Sequence, residues 1–389
     1  MPASRPGDPT CRGRRHIHAL ARTPAVHVVR PRPRRAGRGG RLVRVVRPRP
    51  GRALGPLPAW TAGGLAVLLA AVGGLAIALG PVPVSPGDVV SALGGLLGLP
   101  AGEVAARDAL VVGQIRLPRV LVAALVGAAL GVAGAVMQAL FGNPLAEPGV
   151  TGVSAGAAAG AVLAITSGAA GTAVVPAAAF AGALATVAVI HAIGAMSRGP
   201  ATVLLAGIAL NALLGALVSA LVANAPDEQS LRGVVFWLQG DLDARTWEHV
   251  RLVLWPVLAG VAVTLVFSRD LNVMLLGDDA ARAGGVDVTR TRHALLLLAS
   301  LLTGVAVSVS GVIGFVGLVA PHVIRLALGA DHRLLLPASA LLGAVFLVLA
   351  DTVARMTLAP VTLQTGVVTA FVGAPVFLLL VLWTRRRTR

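Results

Sequence analysis

QIRLPRVLVAALVGAALGVAGAVMQALFGNPLAEPGVTGVSAGAAAG, residues 114–160, decides how this chain is read. No ionisable side chain lies between Arg119 and Glu147, and residues 120–140 are apolar apart from Gln138. A helix rises 1.5 Å per residue, so about 20 apolar residues cross a ~30 Å hydrocarbon core. The stretch predicts a membrane-crossing helix over 117–140, followed by a turn at Asn143-Pro144. Gly127 with Gly131, and Gly152, Gly156 and Gly160, repeat at helical spacing, which lets helix backbones approach closely. With 47 glycines in the chain, such spacing marks packing rather than a ligand site.

Working outward, comparable runs recur near 59–81, 149–167, 173–195, 201–225, 250–267, 293–313, 315–329, 334–355 and 361–383. The fold expected is an all-α polytopic membrane protein of about ten transmembrane helices. The eighth run is short and holds Pro321, His322 and Arg325, so a broken or partly re-entrant span is expected there. Residues 226–249 alternate apolar and polar side chains and suggest a short surface helix.

Composition agrees. The chain is 56% hydrophobic and 13% charged, against about a quarter charged in soluble domains. Its formal charge of +17 is unevenly placed: residues 1–57 hold fifteen of the 33 basic residues and one acid, Asp8, leaving eighteen against fifteen. A nearly neutral remainder argues against nucleic acid as a partner and for membrane lipid. Residues 1–57, rich in Arg, Pro and Gly without apolar periodicity, are expected to be disordered. They fit a solvated tail, residues ahead of a later start codon, or a basic arm. The membrane domain is expected over 58–385, with 386–389 a short basic terminus. Cys11 is the only cysteine, so an internal disulfide and a cysteine-rich metal or iron-sulfur site are excluded, and redox chemistry is not expected.

Basic residues in short loops set orientation. An even number of spans puts both termini on the cytoplasmic side of the cell membrane, with Arg198, Arg269, Arg282, Arg290, Arg292 and Arg333. Arg116, Arg119 and Arg355 then face outside, against the trend. The chain has no Lys, hence no GxxxxGK[ST] phosphate loop, so any ATP must be hydrolysed by a separate subunit. Asp351 is the only acid well inside a predicted span, which disfavours the alternative reading, an ion-coupled secondary transporter.

Residues 114–160, with GVIGFVGLVAPHVIRLALGADHR at 311–333 and the run from LADTVAR to GVVTAFVGAPVFLL, resemble the FecCD family of ABC importer permeases. The resemblance implies a non-enzymatic permease that binds no cofactor itself. It implies a second permease, identical or sibling, two ATP-binding cassette ATPases inside and a substrate-binding protein outside. The cargo implied is an iron-siderophore, haem or vitamin B12-like molecule, moved by alternating access.

Arg forks suit bidentate pairing with carboxylates, and the resemblance assigns Arg116, Arg119 and Arg355 to docking glutamates of the binding protein. Interfacial snorkelling or a local ion pair, such as Arg355 with Asp351 at i−4, fits the same residues. Residues 270–292 resemble the family's ATPase coupling loop, with Gly277, Asp278, Asp279, Ala280, Ala281, Arg282 and Gly285 at its core. Gly284-Gly285 departs from the family's Leu-Gly and is expected to loosen the second short helix. Gln138, Asn143 and Pro144 fit a pathway gate or simple capping and turn chemistry. Asn211 and His322 read as buried polar residues that hydrogen-bond a neighbouring helix.

Overall fold

The structure is a computed structural model that describes residues 59–99, 102, 104–169, 173–196, 200–358 and 361–387. The tail reading, over 1–57, lies outside these residues, as do positions 388–389 of the expected basic terminus.

Among the described residues the α-helices are, in chain order, α1 (Ala59–Ala78), α2 (Pro86–Leu96), α3 (Ala106–Leu110), α4 (Leu117–Leu140), α5 (Val153–Thr166), α6 (Val174–Met196), α7 (Pro200–Ala223), α8 (Glu228–Leu238), α9 (Trp247–Val266), α10 (Ser268–Met274), α11 (Asp278–Ala283), α12 (Val288–Ser310), α13 (Val316–Leu328), α14 (His332–Met356) and α15 (Thr365–Arg387). Seven are long and apolar enough to cross a membrane: α1, the continuous stretch Ala106–Leu140, α6, α7, α9, α12 and α14. Val153–Thr166, Val316–Leu328 and Thr365–Leu380 are shorter apolar helices. Each of the ten predicted spans therefore contains a helix, and α8 is the expected surface helix. The C-terminal boundary drawn at 385 is not a structural break, because α15 runs on to Arg387.

The second span differs from its prediction at its start. The helix begins at Ala106, and a π-helical turn, Val111–Arg116, joins α3 to α4. Pro118 has no N–H to give the preceding turn, and the Gly113 carbonyl instead accepts the Trp247 indole N–H at 2.9 Å. At its other end α4 stops in a Schellman motif: Gly142 adopts φ 56°, and Asn143 N–H donates to the Gln138 carbonyl at 3.1 Å. Only glycine takes that backbone angle without strain.

α5 and α13 are short, at 14 and 13 residues, and each follows a stretch that is not α-helical. Thirteen residues of α13 rise about 20 Å, so the irregular stretch 311–315 before it lies within the bundle. Residues 141–152, which include a 3-10 turn at Pro148–Thr151, lead into α5 in a similar way. The two irregular stretches meet, with Phe315 N–H donating to Glu147 Oε1 at 3.0 Å. Such backbone survives at membrane depth only when protein satisfies it. Here Asp241 N–H donates to the Ser310 carbonyl at 2.8 Å and Asn211 Nδ2 to the Gly149 carbonyl at 3.3 Å. The expected broken eighth span is thus explained, and Asn211 serves as the interhelical tie expected of it.

α4, α12 and α14 form the buried centre, while α1, α7 and α9 expose most of their apolar side chains, including Val67, Leu205, Leu213 and Val266. Outward apolar surface of this kind is what lipid requires. α4 packs on α14 and α13 through one stripe: Gly127 abuts the Gly343 carbonyl, Gly131 that of Ser339 and Gly134 that of Gly317. Gly156 and Gly160 meet α6 at Gly182 and Ala178. The glycine spacing marks backbone contact, as read from the sequence.

Candidate functional site: an arginine cleft and a helical loop at opposite ends of the bundle

α14 connects the two regions. Its last two turns carry Asp351 and Arg355, and its first residue, His332, is bonded to Asn272 of the loop that holds α10 and α11.

At the first end, Arg116, Arg119 and Arg355 come together, none of them more than 5% exposed. Arg119 is gripped by two carboxylates. Its Nε lies 3.0 Å from both oxygens of Asp351 and its Nη2 2.9 Å from Oδ1, while Nη1 reaches Asp243 Oδ1 at 2.7 Å. Asp351 also accepts the Thr365 hydroxyl at 3.0 Å and lies 3.2 Å from Arg355 Nε, an ion contact without hydrogen-bond geometry. Arg116 donates to the carbonyls of Ile77, at 2.7 Å, Ala78 and Val82, and Arg355 Nη2 to that of Ala76 at 3.0 Å. Two arginines therefore satisfy the orphan carbonyls at the C-terminus of α1, where the helix dipole also favours positive charge.

The sequence suggests forks open to an outside carboxylate; the structure shows forks already engaged within the chain, and the Arg355–Asp351 pair is present. The three arginines nevertheless line one open cleft of about 210 Å³ with Pro81, Val82, Ile115, Asp243 and Thr362. Asp243 and Asp351 are the carboxylates in ion-pair contact with these arginines among the described residues, while Asp108 acts on Arg116 and Asp241 on Arg119 through space. Nearby, burial holds the Asp241 carboxyl above its usual range, with the hydrogen bond from Asp243 N–H opposing the shift. Burial likewise lowers the Arg245 guanidinium. The sequence does not single out Asp243, since a loop aspartate carries no periodic signal.

At the other end, α11 is bracketed by Gly277 at φ 101° and Gly285 at φ 84°. Asp278 pairs with Arg292 at 3.0 Å and Asp279 with Arg282 at 3.2 Å, both in solvent-accessible settings worth little stability. Ala281 is buried, whereas Ala280, Leu275 and Leu276 are exposed. Gly284 does not loosen the helix: Val286 N–H donates to the Ala281 carbonyl at 3.0 Å and Gly285 N–H to that of Arg282, a complete Schellman closure. Asn272 of α10 fixes this loop to α14. Its Nδ2 donates to Asp331 Oδ1 at 2.6 Å, and its Oδ1 accepts from His332 N–H at 2.8 Å and lies 2.9 Å from His332 Nδ1.

The remaining candidates separate. Gln138 is buried, donates to the Leu318 carbonyl at 3.2 Å and accepts from Arg325 at 2.8 Å, so it ties α4 to α13. Asn143 Oδ1 accepts from Leu145 N–H at 2.9 Å in an Asx turn, and Pro144 is exposed beside it. His322 departs from its expected role: among the described residues neither ring nitrogen has a hydrogen-bond partner, and the ring meets Phe377 edge-on at 6.4 Å.

Comparison with known proteins adds to this geometry. A family described as the FecCD transport family matches residues 68–383. The cobalamin import system permease protein BtuC of Halobacterium salinarum is 47% identical over 272 residues, 69% of this chain and 73% of the relative. The hemin transport system permease protein HmuU of Yersinia pestis is 44% identical over 280 residues, 70% of this chain and 84% of the relative. A solved metal-chelate type ABC transporter in an inward-facing conformation superposes with a TM-score of 0.75 at 32% identity, covering 83% of this chain and 99% of that one. With that match spanning the membrane domain, the chain belongs to the FecCD transport family.

Proposed function

We propose that this chain is the membrane permease of an ATP-driven importer for a bulky metal chelate. It pairs with a second permease, and two ATPases engage α10 and α11 on the cytoplasmic side. A substrate-binding protein docks over the arginine cleft outside. The observation that carries the reading is the family match over residues 68–383, with the cleft and the helical loop at opposite ends of α14. Relatives named for cobalamin and hemin favour a corrinoid or haem cargo over an iron-siderophore.

Reconstitution tests it. Vesicles holding the permease with its ATPase and binding protein should take up cobalamin or haemin only when ATP is hydrolysed. Accumulation driven by an ion gradient without the ATPase would establish the secondary-transporter alternative instead.

Asn272 gives a second expectation. Asn272→Ala removes the bonds to Asp331 and His332, each worth about 1 kcal/mol, and frees the loop from α14. The complex should still assemble and hydrolyse ATP, but with less cargo moved per ATP. An unchanged ratio of transport to hydrolysis would show that the tie carries no motion.

A further inference from the structure

We infer that Asp243 is an internal substitute for the docking protein's carboxylate, occupying Arg119 until an acidic side chain displaces it. The inference rests on the docking reading above.

The two partners of Arg119 differ in kind. Asp351 has a side chain only 1% exposed, sits within α14 and takes two guanidinium nitrogens. That pair is part of the fold. Asp243 has a side chain 58% exposed, lies on the connection between α8 and α9 and meets only Nη1, at 2.7 Å. It lines the open cleft rather than the core. The next residue, Ala244, adopts φ 54°, a left-handed conformation unfavourable for a residue with a Cβ. The connection is strained at this residue and anchored at Asp241, whose N–H donates to the Ser310 carbonyl at 2.8 Å, so Asp243 is presented from a fixed loop by an exposed side chain.

Charge explains what the exchange accomplishes. With Asp243 in place, Arg119 is paired with two carboxylates, Asp243 and Asp351. Withdrawing Asp243 uncovers Nη1 of Arg119 toward the cleft mouth. An incoming glutamate or aspartate then restores the same charge balance and the same hydrogen bond, while Asp243 moves into water. Docking becomes an exchange of like groups, reversible because the displaced carboxylate competes for return.

Asp243→Asn separates competition from simple damage. It keeps the size of the side chain and removes the competing charge, so the purified substrate-binding protein that supports uptake in the reconstituted vesicles should associate about tenfold more tightly, with steeper salt dependence. Asp243→Glu, which keeps the charge, should bind like the parent. Unchanged or weaker association of Asp243→Asn, whether or not its melting temperature falls, overturns the inference. Ile115→Glu tests the docking reading separately by placing a carboxylate on the exposed rim of the cleft. If Ile115→Glu leaves association unaltered, the cleft is not the docking site; if it weakens association while Asp243→Asn fails to strengthen it, only the exchange is refuted.

Discussion

Asp351→Ala should be the most damaging substitution at the arginine end, destabilising the folded chain by about 3–5 kcal/mol. Asp351 pairs with both Arg119 and Arg355 and accepts the Thr365 hydroxyl, all in a buried setting. Removing it leaves two guanidinium groups side by side, with the exposed Asp243 the one remaining ion-pair partner of Arg119 among the described residues. A lone buried charge costs more than the pair contributes, so the second substitution should offset part of the first. Arg119→Met combined with Asp351→Ala is accordingly expected to unfold at a higher temperature than Asp351→Ala alone. Thermal unfolding of the detergent-solubilised single and double variants measures this coupling. Strict additivity would mean that the pair contributes no mutual stabilisation. The same geometry changes how docking is tested: reversing Arg116 would strike the carbonyl end of α1 and report on folding, which is why the rim position Ile115 is preferred.

Gly134→Val should be comparably severe. A Cβ at Gly134 would fall inside the van der Waals envelope of the Gly317 carbonyl, and one at Gly317 would stand 2.8 Å from the Leu130 carbonyl. Neither neighbour is a side chain able to turn aside. α4 and α13 must separate, and the bonds from Gln138 to Leu318 and from Arg325 to Gln138 lengthen with them. The expected cost is roughly 3 kcal/mol or more, the upper end for overpacking. Gly134→Ala should lie between valine and the parent in melting temperature and in monodisperse yield. A valine variant as stable as the parent would contradict the close approach of these backbones.

The spans are legible because length and hydropathy are local properties, and 1.5 Å per residue converts one directly into the other. The glycine stripe is legible only in part. Gly127 and Gly131 repeat at four residues, whereas Gly134 follows at three and reads as one glycine among many. The second span is expected to begin at Leu117 because Pro118 suits the first turn of a helix, although the helix in fact runs on from Ala106 through Arg116. α2 is not anticipated, since Ser85-Pro86 supplies only a local cap.

The arginines show the boundary most clearly. Sequence places Arg116, Arg119 and Arg355 at one end of the bundle, from the direction in which successive spans cross. It also offers the Arg355–Asp351 pair, because those residues are one helical turn apart. It cannot offer Arg119–Asp351, whose partners are 232 positions apart, nor the capping of α1 by Arg116. Which carboxylate a guanidinium meets depends on helix packing, and that packing is set by backbone contacts among glycines on three helices. By itself the sequence determined a multi-pass helical bundle, its spans and the family to which they belong. Only the tertiary structure decided that the arginines are held inside the chain, that Gln138 ties α4 to α13, and that an exposed aspartate occupies the cleft-facing nitrogen of Arg119.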